Sequence, residues 1–402
     1  MVSVEEAERI IQRRTRDYGT ESLPTEQALG RFLAAPVVAD RDMPPFDRVT
    51  LDGIALRFQS VTDGIREFHV ARSQAAGEDP GKITRPDECV EIMTGAALPS
   101  ATDTIIPFED IEKVNGQGIY LLREGSYQFG QNIHVRGRDR KAGEILVNTN
   151  QWIGPPVIAA ALSAGRTELE VRKFPKTMVI STGDELLGQH KPLSAFQIRR
   201  SNDYMLASDL QLHGLRANTN HLPDDPVIIS AEIGHCLREY DVIILCGGVS
   251  MGKHDYVPGA LEQNGVKPLF YKVAQRPGKP FWFGEHASGV LVFAFPGNPV
   301  SCFLCLHRYF LPWLYASAGQ PIRPVYAQLG YDFEFKPDLQ YFLQVRLEVN
   351  EKGMLIGTPA EGNGSGDFAN LLASDAFLEL PLGREKFSRS ESFRVWPFKN
   401  WT

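Results

Sequence analysis

Three short apolar runs in the second half of the chain each end in a loop rich in glycine and polar residues. Each loop is followed by sequence with helical spacing, a pattern typical of parallel strands joined by helical crossovers. Ligands of such sheets bind beyond the carboxyl ends of the strands, so we expect the chemistry in these loops. The runs and their loops are residues 177–182 with Gly183-Asp184-Glu185, residues 241–246 with Gly247-Gly248-Val249-Ser250, and residues 290–295 with Pro296-Gly297-Asn298-Pro299.

The first half of the chain has a different texture. Helical spacing over residues 1–20, where Ser3 begins a capping sequence, and again over residues 151–164 predicts two helices. Residues 41–147, between them, contain short alternating runs broken by Gly and Pro. That pattern predicts an inserted β-rich domain, with the two helices forming one discontinuous domain.

The last segment has the form of a β-hairpin, with residues 341–349 and 354–357 on either side of a turn that ends at Gly353. Pro321 and Pro324 mark the boundary before it, because two close prolines resist both helix and central strand. Together the patterns predict a multidomain α/β plus β protein. Its predicted parts are a small helical linker domain (1–24 and 140–174), a β-rich insertion domain (25–139), a central α/β domain with a mainly parallel sheet and helical crossovers (175–320) and a C-terminal β-barrel domain (321–402).

Composition narrows the class of protein. The 402 residues are 43% hydrophobic and 23% charged, which is typical of a soluble globular protein of several domains. A formal net charge of −7 argues against a sequence-independent nucleic-acid binder, so any anionic ligand must meet a local basic cluster. The sequence contains no run of about 18 apolar residues, so it predicts no membrane-spanning helix. The amino terminus lacks the apolar core of a signal peptide, which favours a cytoplasmic protein.

The five cysteines do not form a disulfide framework in a chain of this size. Cys302 and Cys305 form the only C-x-x-C, but they lie in an apolar stretch with helical spacing, so we interpret them as buried thiols. The dispersed histidines suggest no zinc site.

Carboxylates are the first candidates for chemistry. Asp184 and Glu185 follow the first strand, and Asp225 (with Asp224) and Asp255 lie in other loops of the same predicted sheet. Asp184 and Glu185 have a purely structural interpretation at the start of a helix, where carboxylates interact well with free amides. Several carboxylates at one edge repel one another unless a cation relieves them, and oxygen-rich sites suit Mg²⁺. A magnesium-assisted site is the sharper hypothesis.

Two loops are candidates for anion binding. Gly247 and Gly248 permit a tight turn, or their amides and the Ser250 hydroxyl form a nest for an anion. Arg276 and Lys279 lie on a loop stiffened by two prolines, Pro277 and Pro280. Lys279 is then either an ordinary surface lysine or a cation held against a phosphate or oxyanion.

Other motifs also have structural interpretations. Asn298 and Pro299 fit a helix cap followed by proline at the first helical turn. The glycine-rich residues 361–366 are a flexible connection or a loop that approaches a ligand closely. In the insertion, the segments around Asp52 and Thr94 would pass as ordinary turns, whereas residues 136–141 hold four cations and form a basic patch.

Taken in order along the chain, these segments resemble the molybdopterin molybdenumtransferase family, the MoeA type that includes the E domain of gephyrin. The resemblance covers nearly the whole chain, and the ordered set is far more specific than any one motif. The matching segments are Phe46-Asp47 with Leu51-Asp52-Gly53, Met93-Thr94-Gly95-Ala96, residues 130–133, residues 180–186, Ser201-Asn202 with residues 204–206, residues 247–250, residues 277–280 and residues 296–301.

The resemblance implies a four-domain, elongated homodimer that inserts molybdate into adenylylated molybdopterin and releases AMP in a Mg²⁺-dependent step. It also implies molybdopterin adenylyltransferase and molybdoenzyme apo-proteins as partners, with no nucleic acid and no membrane. By position it assigns catalytic roles to Asp52, Glu185, Asp255 and Lys279, substrate binding to Thr94, Asp139, Asp184, Gly247, Gly248, Ser250, Arg276, Pro296, Pro299 and Ser365, and Mg²⁺ binding to Asp184, Glu185, Asp225 and Asp255. Asp52, Thr94 and Asp139 would reach the cleft of the other subunit.

Several positions depart from the family pattern, mostly toward positive charge. The departures are Arg48, in a segment where Asn-Ser-Ala is typical, Arg138, Arg200 and Lys253, where acids are common, Arg276, where lysine is usual, and Gln344, where arginine is expected. Additional cations near an anion-binding site either tighten the binding of the oxyanion or indicate that the reaction of the family has been lost. A second hypothesis is therefore a catalytically reduced homologue that binds pterin or acts as a scaffold.

Overall fold

The computed structural model describes residues 1–114, 118–249, 255–360 and 362–399. In this structure the chain forms two compact units. The first contains residues 1–23, 27–34 and 170–402, and the second contains residues 24–26 and 35–169. The finer division into four domains stays a prediction.

A six-stranded sheet forms the centre of the first unit. Its order is Asn218–Leu222, Thr177–Thr182, Val242–Cys246, Leu291–Phe295, Trp282–Glu285 and Lys267–Tyr271. The first four strands are parallel to one another, and Trp282–Glu285 is antiparallel to both of its neighbours, Leu291–Phe295 and Lys267–Tyr271. The prediction of a mainly parallel sheet is confirmed, including all three strands that the apolar runs predicted.

Helices cover both faces of this sheet. Alternate residues of the central strand belong to two separate apolar clusters, Val242 and Ile244 to one and Ile243 and Leu245 to the other. A continuous apolar run is therefore the signature of a strand buried on both sides. The helices are Asn202–Leu212, Pro226–Glu239, Val257–Gln263, Pro299–Cys305 and Leu311–Ser317, with a π-helical turn at Leu306–Phe310 between the last two.

The amino-terminal helix is shorter than its pattern predicted, running from Val4 to Gln12. The Ser3 hydroxyl caps it by accepting a hydrogen bond from the amide of Glu6 at 3.1 Å. Beyond Gln12 the backbone is held by tertiary contacts instead, because the Arg14 carbonyl accepts from the Trp313 indole at 3.0 Å. Strand Thr20–Pro24 follows and pairs with Glu168–Arg172.

A closed barrel of five strands lies near the carboxyl terminus, as predicted. Strands Gln340–Val349 and Leu355–Pro359 form the predicted hairpin, with Val345 opposite Pro359. The barrel closes because Gln340–Val349 also pairs with Ala376–Leu380, and the other strands are Val325–Leu329 and Ser392–Pro397. The short strand Gln275–Arg276 extends this sheet by pairing with Gln340 and Tyr341. The barrel segment also has a strand pair, Phe333–Glu334 with Lys386–Phe387, and a helix, Ala369–Ala373.

The second unit is β-rich, as predicted for the insertion. Its sheet has six strands in the order Thr104–Pro107, Gly53–Leu56, Glu88–Ile92, Glu67–Gln74, Ile119–Leu122 and Ile111–Val114. Two strand pairs accompany it, Val37–Val38 with Ile145–Val147 and Arg48–Val49 with Ile133–His134. Its helical elements are Phe58–Thr62, the predicted second helix at Pro155–Ser163, and the 3₁₀ turns Thr25–Gln27 and Phe108–Asp110.

All five cysteines are buried free thiols, which confirms the interpretation of Cys302 and Cys305. In the part of the chain that the structure describes, no helix is long and apolar enough to cross a membrane. The cytoplasmic location stays a prediction.

Candidate functional site

A cavity of about 1000 Å³ lies at the carboxyl ends of the parallel strands in the first unit. Thr182, Cys246 and Pro296, which end or follow three of these strands, all line it. The sheet edge at which the sequence placed the chemistry therefore carries a cavity of the size that small-molecule sites have.

Most of the predicted site residues of this unit lie on the cavity wall. The wall includes Glu185, Gly247, Gly248, Asp255, Arg276, Lys279, Pro296, Pro299 and Ser365. Asp184 and Asp225 belong to the same loops but are not on the wall. Ser250, together with the departure at Lys253, lies outside the described residues. Asp52, Thr94 and Asp139 belong to the second unit.

Asp184 joins two loops of the sheet edge. Its Oδ1 accepts from the amide of Asp224 at 3.1 Å, and its own amide donates to Asp224 Oδ2 at 3.4 Å. The alternative interpretation, in which Asp184 and Glu185 start a helix, is wrong, because a short strand, Leu186–Leu187, follows them and the next helix begins at Asn202. Asp184 thus fixes the loop from which Glu185 reaches the cavity.

The position of the Glu185 side chain depends on Gly183, two residues earlier in the chain. Gly183 has a φ of +141°, and a Cβ added there would lie 2.4 Å from Glu185 Oε2. Since a side chain at position 183 would displace the Glu185 carboxylate, the glycine lets that carboxylate fold back over the end of the strand. Sequence reasoning singled out Gly183 as the end of an apolar run but not as the space that Glu185 occupies.

Asp225 caps the helix Pro226–Glu239. Its Oδ1 accepts from the amides of Val227 at 2.8 Å and Ile228 at 3.0 Å. The adjacent Asp224, which the sequence did not select as a site residue, lines the cavity instead. The sequence already distinguished Asp225 from Asp224, because an acid directly before a proline at the first helical position is typical of a helix N-cap.

Matched variants decide the role of Asp225. Asp225→Ser keeps a capping oxygen, so we expect it to retain both the helix and the Mg²⁺ dependence that the resemblance implies. Asp225→Ala removes the cap and should lower the free energy of unfolding by about 1 kcal/mol. Chemical denaturation measures the stability, and activity against Mg²⁺ concentration measures the metal requirement. A metal-binding role would instead raise the Mg²⁺ requirement of Asp225→Ser.

The two glycines after the central strand are needed for conformation and for space. Gly247 and Gly248 have φ values of +99° and +65°. A Cβ on Gly248 would lie 2.7 Å from Val257 Cγ2 and 2.9 Å from the hydroxyl of Thr182. The tight-turn interpretation therefore holds, and the anion-nest interpretation stays a prediction.

The cations on the cavity wall differ in how much of their charge is already paired. Nε of Arg200 lies 3.1 Å from a carboxylate oxygen of the buried Asp203, and the same guanidinium donates to the Tyr204 hydroxyl at 2.8 Å. Burial raises the pKa of Asp203. In contrast, among the described residues the Nζ of Lys279 makes no ion pair or hydrogen bond, and Lys279 is exposed. Lys279 is therefore the better candidate for an anionic ligand.

The glycine-rich loop of the barrel is part of the same wall. Asn298 occupies the predicted N-cap position, but its side chain does not cap the helix, because Nδ2 donates to the Ser365 hydroxyl at 2.8 Å. The amide of Val300 donates to the Ser365 carbonyl at 3.2 Å. The loop that contains Ser365 is thus held against the α/β sheet edge, which favours the ligand-approach interpretation over a free connection.

The predicted residues of the second unit form local polar clusters. The Asp52 carboxylate accepts from the hydroxyl of Thr94 at 2.7 Å and from its amide at 2.6 Å, and these bonds lower the pKa of Asp52. Asp139 Oδ1 lies 2.8 Å from His134 Nε2. The two segments that would pass as ordinary turns are therefore linked to each other through Asp52 and Thr94.

Of the remaining departures, Arg276 is among the residues of this cavity wall, and Arg48, Arg138 and Gln344 are not. Arg48 and Arg138 are exposed in the second unit, and Gln344 donates to the Ser374 hydroxyl at 3.3 Å in the barrel. Arg276 is on the wall, with its guanidinium 5.9 Å from the ring centre of Phe335.

Three family models match the chain in order. Residues 2–165 match the MoeA N-terminal region (domain I and II), residues 178–316 match a probable molybdopterin binding domain, and residues 326–398 match the MoeA C-terminal region (domain IV). Together they cover most of the chain, including every strand that lines the cavity.

Curated proteins and solved structures give the same result. The chain is 38% identical to the molybdopterin molybdenumtransferase of Synechocystis, with 100% of both chains covered. It is 30% identical to the protein of that name from Bacillus subtilis, over 98% of this chain and 93% of the other. The crystal structure of a molybdopterin biosynthesis MoeA protein from Pyrococcus horikoshii is similar, with a TM-score of 0.75 and 27% identity over 98% of this chain and 99% of that one.

Proposed function

The chain belongs to the molybdopterin molybdenumtransferase family and is a transferase of molybdenum cofactor biosynthesis, and we propose that it inserts molybdate into adenylylated molybdopterin with release of AMP. The observation that supports this reaction best is the cavity wall, which combines the cationic loop of Arg276 and Lys279 with the carboxylates Glu185 and Asp255. A substrate with a phosphoanhydride and a pterin needs both kinds of group.

The cations would bind and orient the phosphates. Lys279 and Arg276 would both donate hydrogen bonds to the phosphate oxygens, and such charge-assisted bonds are roughly twice as strong as neutral ones. When the bond to the adenylate phosphate breaks, negative charge develops on the leaving group. A fixed ammonium beside that oxygen stabilises the transition state more than the ground state.

The described residues fit Mg²⁺ only as a partner of the substrate. They contain no group of three or more His, Cys, Asp or Glu that could hold a metal ion by themselves. Mg²⁺ in proteins often takes one or two carboxylates, and substrate phosphates and water supply its other ligands. Glu185 and Asp255, on the wall, would hold such an ion, with Asp184 and Asp225 in the loops around it. Bound there, Mg²⁺ would neutralise phosphate charge.

Omission assays test the proposed reaction. Purified protein with adenylylated molybdopterin should release AMP when both molybdate and Mg²⁺ are present, and the rate should fall to the background when either is left out. Sulfate in place of molybdate controls for general anion effects. A protein that binds the substrate but releases no AMP under any of these conditions would support the scaffold hypothesis instead.

We expect a homodimer, as the resemblance implies. Asp52, Thr94 and Asp139 come from the second unit, and a two-fold assembly would let them serve the cavity of the other subunit. Light scattering should give about twice the chain mass of 44.8 kDa. A fully active monomer at micromolar concentration would contradict this. Molybdopterin adenylyltransferase and molybdoenzyme apo-proteins stay predicted partners.

A further inference from the structure

A buried glutamine, Gln275, borders both the cavity and the cationic loop. Gln275 is fully buried, and its side-chain Nε2 donates to the carbonyl of Gly278 at 3.3 Å and contacts the sulfur of Cys305 at 3.9 Å. The carbonyl that it holds belongs to the residue before Lys279. Gln275 therefore acts on the loop of Lys279, whose Nζ has no hydrogen-bond or ion-pair partner among the described residues.

Tyr309 fixes the orientation of that glutamine. Its hydroxyl donates to Gln275 Oε1, and Tyr309 is itself buried in the π-helical turn Leu306–Phe310. With Oε1 bonded to Tyr309 and Nε2 bonded to Gly278, the amide is held at both ends. Water does not compete at this depth, so each bond is costly to lose.

The loop is also held by close packing on the glutamine. Gly278 has a φ of +88°, and a Cβ added there would lie 2.6 Å from Gln275 Nε2. The carbonyl of Lys279 accepts from the amide of Val273 at 2.9 Å. The Val273 amide and the Gln275 amide group therefore both restrain the backbone at Gly278 and Lys279.

We propose that Tyr309 and Gln275 are positioning residues that hold the Gly278 turn so that Lys279 meets the phosphate of the substrate. Neither acts on the reacting atoms. Their effect on the reaction passes through Lys279, and this part of the inference rests on the proposed function.

Tyr309→Phe tests the proposal, because it removes only the hydroxyl. It should lower kcat/KM for AMP release by about tenfold, the effect of one lost hydrogen bond to a buried group. Tyr315→Phe is the matched control. Tyr315 follows six residues later and its hydroxyl bonds His213 instead, so we expect its kcat/KM to change less than about twofold.

A double-mutant cycle separates positioning from general damage. In a Lys279→Met background, Tyr309→Phe should cause no further loss, because the group that it positions is gone. The same loss with and without Lys279 would overturn the proposal. Gln275→Met removes both Oε1 and Nε2 but keeps a side chain of similar length. It should lower kcat/KM as Tyr309→Phe does, and it should likewise cause no further loss in the Lys279→Met background.

Hydrogen exchange gives a readout that does not depend on activity. Residues 274–282 should exchange about tenfold faster in Tyr309→Phe than in the parent, and at the parent rate in Tyr315→Phe. Equal exchange in the two variants would overturn the proposal. If the parent releases no AMP, the proposed function fails, but this comparison still decides whether Tyr309 holds the loop.

Discussion

Replacing Lys279 by methionine should lower kcat/KM for AMP release by about 10²-fold to 10³-fold, while the fold persists. Lys279 is exposed on the cavity wall, and among the described residues it has no ion-pair partner, so its removal leaves no buried charge behind. The loss is that of one fixed donor beside a developing negative charge. Steady-state kinetics with molybdate and Mg²⁺ saturating measures it.

Lys267→Met is the control for this change. Lys267 is an exposed lysine of the strand Lys267–Tyr271 in the central sheet and does not line the cavity, so we expect kcat/KM to stay within about twofold of the parent. If Lys279→Met and Lys267→Met are equally active, Lys279 is an ordinary surface lysine with no role in the reaction.

Glu185→Gln should lower turnover by about 10²-fold and raise the Mg²⁺ concentration at half-maximal rate. The amide keeps the size of the carboxylate, so the fit over Gly183 is preserved. It removes one negative charge from a site where Mg²⁺ would have few protein ligands, and each of those ligands then matters. Activity against Mg²⁺ concentration measures both effects.

Glu262→Gln provides the comparison. Glu262 is exposed in the helix Val257–Gln263 and is not on the cavity wall, so the Mg²⁺ curve should not move. If Glu185→Gln keeps full activity with an unchanged Mg²⁺ curve, Glu185 is neither a catalytic group nor a metal ligand.

The sequence predicted the sheet well because burial on both faces leaves a direct signal. Strands 242–246 and 291–295 are apolar at every position, and a glycine or proline follows each. The helix predicted over residues 1–20 was too long, because local periodicity does not reveal that the Trp313 indole bonds the Arg14 carbonyl. Such tertiary contacts override local preference.

The same limit applies to the site. Residues in loops after strands, such as Glu185 and Asp255, were predictable because parallel strands end at one edge of a sheet. The choice between Asp224 and Asp225 required the capping motif. Gln275 and Tyr309 were missed because they lie 34 residues apart and meet only in the folded chain. No local pattern marks a buried glutamine as the support of a loop.

The most direct test of the proposed reaction is to count molybdenum and AMP in the same sample. Purified protein is incubated with adenylylated molybdopterin, molybdate and Mg²⁺, the pterin product is separated, and its molybdenum is measured by mass spectrometry beside the released AMP. We expect one molybdenum atom in the pterin for each AMP released, with both quantities reduced together in Lys279→Met. Release of AMP without molybdenum in the pterin, or neither product from a folded protein, would contradict it.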